Sequence, residues 1–163
     1  MSLIVLLDAG PLGMITNPKI SPENEACKRW LASLVYSGAV VVVPEIADYE
    51  VRRELLRGNK IKGLGRLDAL KGMLEYAPIT TPVILQSAEF WAASRKMGRP
   101  SASDGALDAD MIPSAQAVAI ARGRGETVIA TTNVRHLSLV HRSANVARDR
   151  LNTNVSGSAI HDR

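Results

Sequence analysis

Five apolar residues, Leu3-Ile4-Val5-Leu6-Leu7, run unbroken into Asp8 and then into Ala9-Gly10-Pro11. A run of this length, stopped by turn residues, reads as a strand buried on both faces of a parallel sheet. Asp8 then stands at the carboxyl end of a central strand, the edge where open α/β sheets bind ligands. An acid is costly to bury there unless something pairs with it. Two roles suit it: a cap on a following helix, or a ligand to a metal ion. The second role requires partner acids elsewhere in the chain.

Two more runs have the same character. Ala39-Val40-Val41-Val42-Val43 is β-branched and stopped by Pro44, and Thr127-Val128-Ile129-Ala130-Thr131 forms the third. Between them the pattern turns helical. Ser21 as cap, Pro22 at the first position and Glu23 and Glu25 in the first turn start a helix that runs to about Tyr36 and ends at Gly38. Trp30, Leu31, Leu34 and Val35 form its apolar stripe, which places Trp30 in the core. A second helix runs from Glu45 to Arg57 and stops at Gly58, and two buried strands around a helix make a right-handed βαβ unit.

Residues 59–65 read as a basic, glycine-bearing hinge. Leu64, Leu67, Leu70 and Leu74 then keep helical spacing, as a core stripe or a dimer contact, and residues 78–82 form a break with room for a short strand. Helix returns over residues 81–97, with Ile84, Leu85, Ala88, Trp91 and Ala92 as its apolar stripe. Residues 11–14 read as a short turn, and residues 101–110 as a polar loop. An alanine-rich helix is expected over residues 112–122. Pro113 is placed in its first turn, because deeper in a helix it costs about 3 kcal/mol. Strands alternating with helices give an α/β fold, a three-layer α/β/α sandwich with a mainly parallel central sheet. Residues 1–150 form one domain, with an edge strand near Asn145, and residues 151–163 form a polar tail.

Composition narrows the function. A net charge of +4 suits a polyanionic partner. Aromatic residues are only 4% of the chain, which argues against aromatic platforms as the main mode of holding bases. Cys27 is the sole cysteine, so an internal disulfide and a multi-cysteine zinc site are excluded. His136, His141 and His161 have no ligand spacing. The run over residues 3–7 is too short to span a membrane, and no basic region precedes it as in a signal peptide. A cytoplasmic protein with no membrane partner is the expectation.

Acids or their isosteres stand at four comparable places: Asp8 after the first strand, Glu50 in the helix after the second, Asp108 and Asp110 before the alanine-rich helix, and Asn133 after the last strand. All four places can face the carboxyl edge of one parallel sheet. Converging carboxylates cannot all stay ionised without a counter-ion. Oxygen ligands without nearby histidine or cysteine favour Mg²⁺ or Mn²⁺ over zinc. Such an ion acidifies water and offsets charge developing on a phosphodiester. The plainer reading of Glu50 is a surface ion pair with Arg53 or Arg57, and that of Asp104 is a loop residue. Arg52, Arg53, Arg57, Lys60 and Lys62 either line a phosphate-holding groove or form a solvated helix face.

This arrangement resembles the PIN-domain family, which includes the VapC-type toxin ribonucleases. The resemblance runs from Leu3 to about Leu139 and rests on four blocks in order: Leu6-Leu7-Asp8-Ala9; Tyr49-Glu50-Val51-Arg52-Arg53-Glu54-Leu55; Asp110-Met111-Ile112-Pro113-Ser114-Ala115-Gln116-Ala117; and Thr131-Thr132-Asn133-Val134-Arg135-His136-Leu137. Two positions depart from the family pattern. Pro113 replaces an ordinary helix former, and His136 stands where many relatives carry an acid. The resemblance implies a metal-dependent endoribonuclease with Asp8, Glu50 and Asp110 as catalytic residues. They would hold Mg²⁺ or Mn²⁺ with support from Asp108 and Asn133. In-line hydrolysis of single-stranded RNA would leave a 5′-phosphate and a 3′-hydroxyl. It also implies a homodimer and a role as the toxin of a toxin–antitoxin pair, with an antitoxin as partner. The alternative is a catalytically weak or inactive PIN-like module that binds nucleic acid or protein.

Overall fold

The structure is a computed structural model that describes residues 2–97, 104–122 and 124–132, with the backbone alone for residues 104–109. Asn133, His136, the expected edge strand and the tail lie outside the described residues.

Among the described residues four strands form one sheet: β1 (Ile4–Leu7), β2 (Val40–Pro44), β3 (Glu75–Ala77) and β4 (Thr127–Ala130). Their order is β3-β2-β1-β4, and every pairing is parallel. The apolar runs are unbroken because the central strands are covered on both faces. Val5 pairs with Val41, and Leu6 with Val42, so neighbouring residues alternate between the two faces in step. Leu7, Val41 and Val43 pack in one core with Leu12, Leu31, Val51, Leu55 and Leu67. Ile4, Leu6 and Val42 pack on the other face with Ala117 and Ile120.

The first face is covered by four helices: α1 (Ala9–Thr16), α2 (Pro22–Tyr36), α3 (Glu45–Arg57) and α4 (Ile61–Met73). The second is covered by α6 (Asp104–Ala121), with α5 (Thr81–Lys96) stacked on it through Val83, Phe90, Met111 and Ala115. The expected three-layer α/β/α sandwich is therefore present. Leu67 and Leu70 are buried in the first core, with Leu64 and Leu74 packed against it. That stripe serves the core, which removes it as a dimer contact.

Several local expectations are corrected. The segment after Asp8 is a helix, α1, and Pro11 sits in its first turn, where a missing N–H costs nothing. Helix α4 begins at Ile61, inside the expected hinge, and β3 precedes the 78–82 break. Trp30 is 36% exposed; the inward stripe of α2 is Cys27, Leu31 and Leu34, and Trp30 lies one residue to its side. On α5 the inward positions are Val83, Ser87, Phe90 and Ser94, whereas Ile84 and Leu85 are exposed. Small serines let α5 lie close on α6, and the Ser87 hydroxyl is satisfied by donating to the Val83 carbonyl at 2.7 Å.

The largest correction concerns α6. It starts at Asp104, so Pro113 lies well inside the helix and residues 104–110 are helical. Pro113 removes the bond to the carbonyl of residue 109. Burial of Met111, Pro113, Ser114, Ala115 and Gln116 in succession offsets that loss.

Candidate active site

Because all four strands are parallel, the residues that follow them gather at one edge. Asp8 follows β1, Glu45 follows β2 and Thr131 follows β4. Asp8 caps α1: its Oδ1 accepts from the Ala9 amide at 2.8 Å. Its Oδ2 accepts from the Thr131 hydroxyl at 2.6 Å, across the seam between β1 and β4. The cap role and the ligand role are thus compatible, because each carboxylate oxygen keeps a lone pair beyond the one used. Two such bonds fix the direction of the carboxylate, as outer partners do for metal-binding acids. Gly10 makes the approach possible. A Cβ there would lie 2.2 Å from the Thr132 Oγ1.

Glu50 is half-buried on α3. Burial pushes its carboxyl above the usual range, and the negative charges of Asp8 and Asp110 push it further, against the opposing charge of Arg53. Glu50 therefore feels both Asp8 and Asp110, although the three are far apart in sequence. Asp110 is half-buried on α6, where its carbonyl accepts from the Ser114 hydroxyl at 2.5 Å. Ser114 and the helical backbone thereby fix the turn that carries Asp110. Among the described residues no group of three or more His, Cys, Asp or Glu side chains is close enough to hold a metal ion. Asp108 carries no described side chain, and Asn133 lies outside the described residues.

The donor chemistry is all oxygen, and the like charges call for a cation. The three acids fit a hard divalent ion in charge and ligand type, while their side chains stand apart from liganding distance. The cleft at the β3 edge, about 240 Å³ and lined by Val42, Tyr76, Gln116 and Arg124 among others, includes none of these three acids.

The five basic residues named from the sequence divide. Arg52 is held by acids on both sides: its Nε donates to Asp48 Oδ1 at 3.0 Å and its Nη2 to Asp68 Oδ1 at 2.7 Å. Arg57 is paired with Glu54 at 2.6 Å. Arg53, Lys60 and Lys62 have no ion pair among the described residues, and Arg53 lies over the Tyr49 ring at 5.4 Å.

Sequence reasoning missed three contributors. Thr131 orients Asp8, and its only signal was its place in the last motif block. Glu45, in the first turn of α3, suits the positive end of the helix dipole. It also accepts from the Ile79 amide at 2.5 Å, which ties the β3–α5 connection to α3. Asp48 is almost fully buried and collects Arg52, Lys71 at 2.7 Å and the Tyr76 hydroxyl at 3.2 Å. Burial pushes the Asp48 carboxyl up, but the bonds from Lys71 and Arg52 outweigh it and hold the group below its ordinary value. Burial, together with the Asp48 charge, raises the Tyr76 hydroxyl to about 12.

A scan against protein-family models and a search of the curated proteins each return no match. Among the described residues no helix is long and apolar enough to cross a membrane.

Proposed function

We propose that the chain is a divalent-metal-dependent endoribonuclease that hydrolyses phosphodiesters of single-stranded RNA. The observation that carries this reading is that Asp8, at the carboxyl end of a central parallel strand, and Asp110 on α6 both lie close enough to Glu50 for their charges to oppose its ionisation. A carboxylate whose ionisation is opposed by two neighbouring acids is a poor structural feature and a good candidate for a cation site. Asp8, Glu50 and Asp110 would hold Mg²⁺ or Mn²⁺, with Asp108 and Asn133 in support. A bound ion of this kind supplies acidified water and stabilises charge on the phosphate. Thr131 and the Ala9 amide keep Asp8 aimed at the site. Arg53, Lys60 and Lys62 are the cations best placed to meet the RNA backbone. The products are a 5′-phosphate and a 3′-hydroxyl.

The resemblance to PIN domains extends the proposal to a cytoplasmic, homodimeric toxin of a toxin–antitoxin pair. Growth arrest on expression, relieved by a co-expressed antitoxin, is the expected phenotype. The direct test of the enzyme is cleavage of a labelled single-stranded RNA with Mg²⁺ or Mn²⁺. Cleavage by the wild type should cease with EDTA and fall at least about a hundredfold in Asp8→Asn. Cleavage that survives both would end the proposal.

One observation favours a second reading, a catalytically inactive module that binds nucleic acid or protein. Among the described residues the acids do not come within liganding distance as a group of three. Under this reading RNA binding persists unchanged in EDTA and no cleavage appears with any divalent ion.

A further inference from the structure

Helix α3 carries a stripe on its exposed side that its core packing does not use. Tyr49, Arg53 and Leu56 are exposed and follow one another at helical spacing, and Lys60 is exposed in the turn between α3 and α4. Tyr49 is 58% exposed. Arg53 lies over one side of its ring at 5.4 Å, a cation–π contact that holds the ring and leaves the opposite face without the guanidinium. Arg53 and Lys60 form no ion pair among the described residues, unlike Arg52 and Arg57 on the same helix. Glu50 follows Tyr49 directly in the chain and lies three residues, nearly one turn, before Arg53. Arg53 links the two features, lying over the Tyr49 ring and close enough to Glu50 to act on its charge, while Arg53 and Lys60 also feel Glu54.

We propose that Tyr49 and Arg53 form a base-binding subsite for single-stranded RNA, in which an unpaired base next to the cut phosphate stacks on Tyr49 while Arg53 and Lys60 hold the following phosphates. Charge selects the occupant. The row is basic and aromatic, which suits a polyanion that also offers flat rings. An acidic peptide would use the cations and leave the ring idle. A paired duplex keeps its bases stacked on one another and offers none to Tyr49. The low aromatic content of the chain is consistent with this, because a single platform sets the position of one base and leaves general affinity to charge.

This subsite rests on the nuclease reading for its role, but its test is separate. Fluorescence anisotropy would measure binding of a labelled single-stranded RNA decamer, and of an abasic decamer with the same backbone, to the full chain in EDTA. The expected result is tighter binding of the RNA than of the abasic strand. Tyr49→Ala should weaken RNA binding about tenfold and abolish that preference, while Tyr49→Phe keeps it. Tyr49 is exposed, so its variants should keep the wild-type circular dichroism, and Tyr49→Phe controls for folding. Poly-glutamate should compete poorly with RNA. Equal binding of RNA and abasic strands, unchanged binding in Tyr49→Ala, no binding at all, or equal competition by poly-glutamate would each overturn the subsite. If Tyr49-dependent binding appears without any metal-dependent cleavage, the subsite stands and the nuclease reading falls. If cleavage is normal in Tyr49→Ala, the subsite falls and the nuclease reading stands.

Discussion

Two acids on one helix, two residues apart, have opposite surroundings. Asp48 faces Arg52, Lys71 and Tyr76, which occupy both of its oxygens. Glu50 faces the like charges of Asp8 and Asp110, with Arg53 opposing them. The first is a finished electrostatic unit that joins α3 to α4 and β3. The second is an arrangement that costs stability as it stands, and a cation would relieve it. Burial opposes ionisation of both acids, yet it is outweighed at Asp48 and reinforced at Glu50. Burial alone does not distinguish these two acids. The sign of the charges around each does.

The largest expected effect breaks that contrast at the functional end. Glu50→Gln should lower metal-dependent RNA cleavage by at least about a hundredfold while the chain stays folded, read by initial rates and circular dichroism. Asp48→Asn should do the reverse. It leaves Lys71 without its acid and Arg52 with Asp68 alone, and because both cations are about a third exposed the loss of stability should be roughly 2 kcal/mol rather than more, measured by urea unfolding. Unchanged stability in Asp48→Asn would show that the three contacts at Asp48 are incidental.

The pH dependence sharpens the same contrast. The Asp48 carboxyl is held below its unfolded value of 3.8, so its contribution is complete above that value and is lost as pH falls through the lowered folded value. The Glu50 carboxyl is held above its unfolded value of 4.5, so its penalty is absent below 4.5 and complete once pH exceeds the raised folded value. Glu50→Gln should therefore raise the melting temperature near pH 7 and leave it nearly unchanged near pH 4. The gain at pH 7 should be modest, on the order of 1 kcal/mol or less, because Glu50 is only half-buried. A melting temperature that drops at pH 7 would mean that Glu50 is paired rather than crowded. The smallest effect belongs to Trp30→Gln on the exposed side of α2, which should shift stability by no more than about 0.5 kcal/mol, well below a core tryptophan replacement.

The strand runs were legible because burial on both faces leaves an unbroken apolar signature, and β1, β2 and β4 fall within a residue of where it placed them. The caps at Ser21 and Gly38 were equally plain: Ser21 Oγ accepts from the Asn24 amide at 3.2 Å, and Gly38 takes a φ of 81° that suits glycine. Helix faces were harder. On α5 two serines hold inward positions that a count of apolar residues gives to Ile84 and Leu85. Pro113 misled because its local cost is real but is offset by packing that only the assembled fold supplies. The order of the four sequence blocks nominates Asp8, Glu50 and Asp110 as a candidate site, and in the fold the charges of Asp8 and Asp110 reach Glu50. The Thr131 bond to Asp8 is not legible in that order, since it depends on β4 lying directly beside β1.

Calorimetric titration of Mn²⁺ into the full chain at pH 7 tests the contrast between the two acids most directly. Saturable binding is expected in the wild type and in a folded Asp48→Asn, and its loss is expected in Asp8→Asn and Glu50→Gln. Absence of saturable binding in the wild type, or equal binding in Glu50→Gln, would contradict a cation site at these acids.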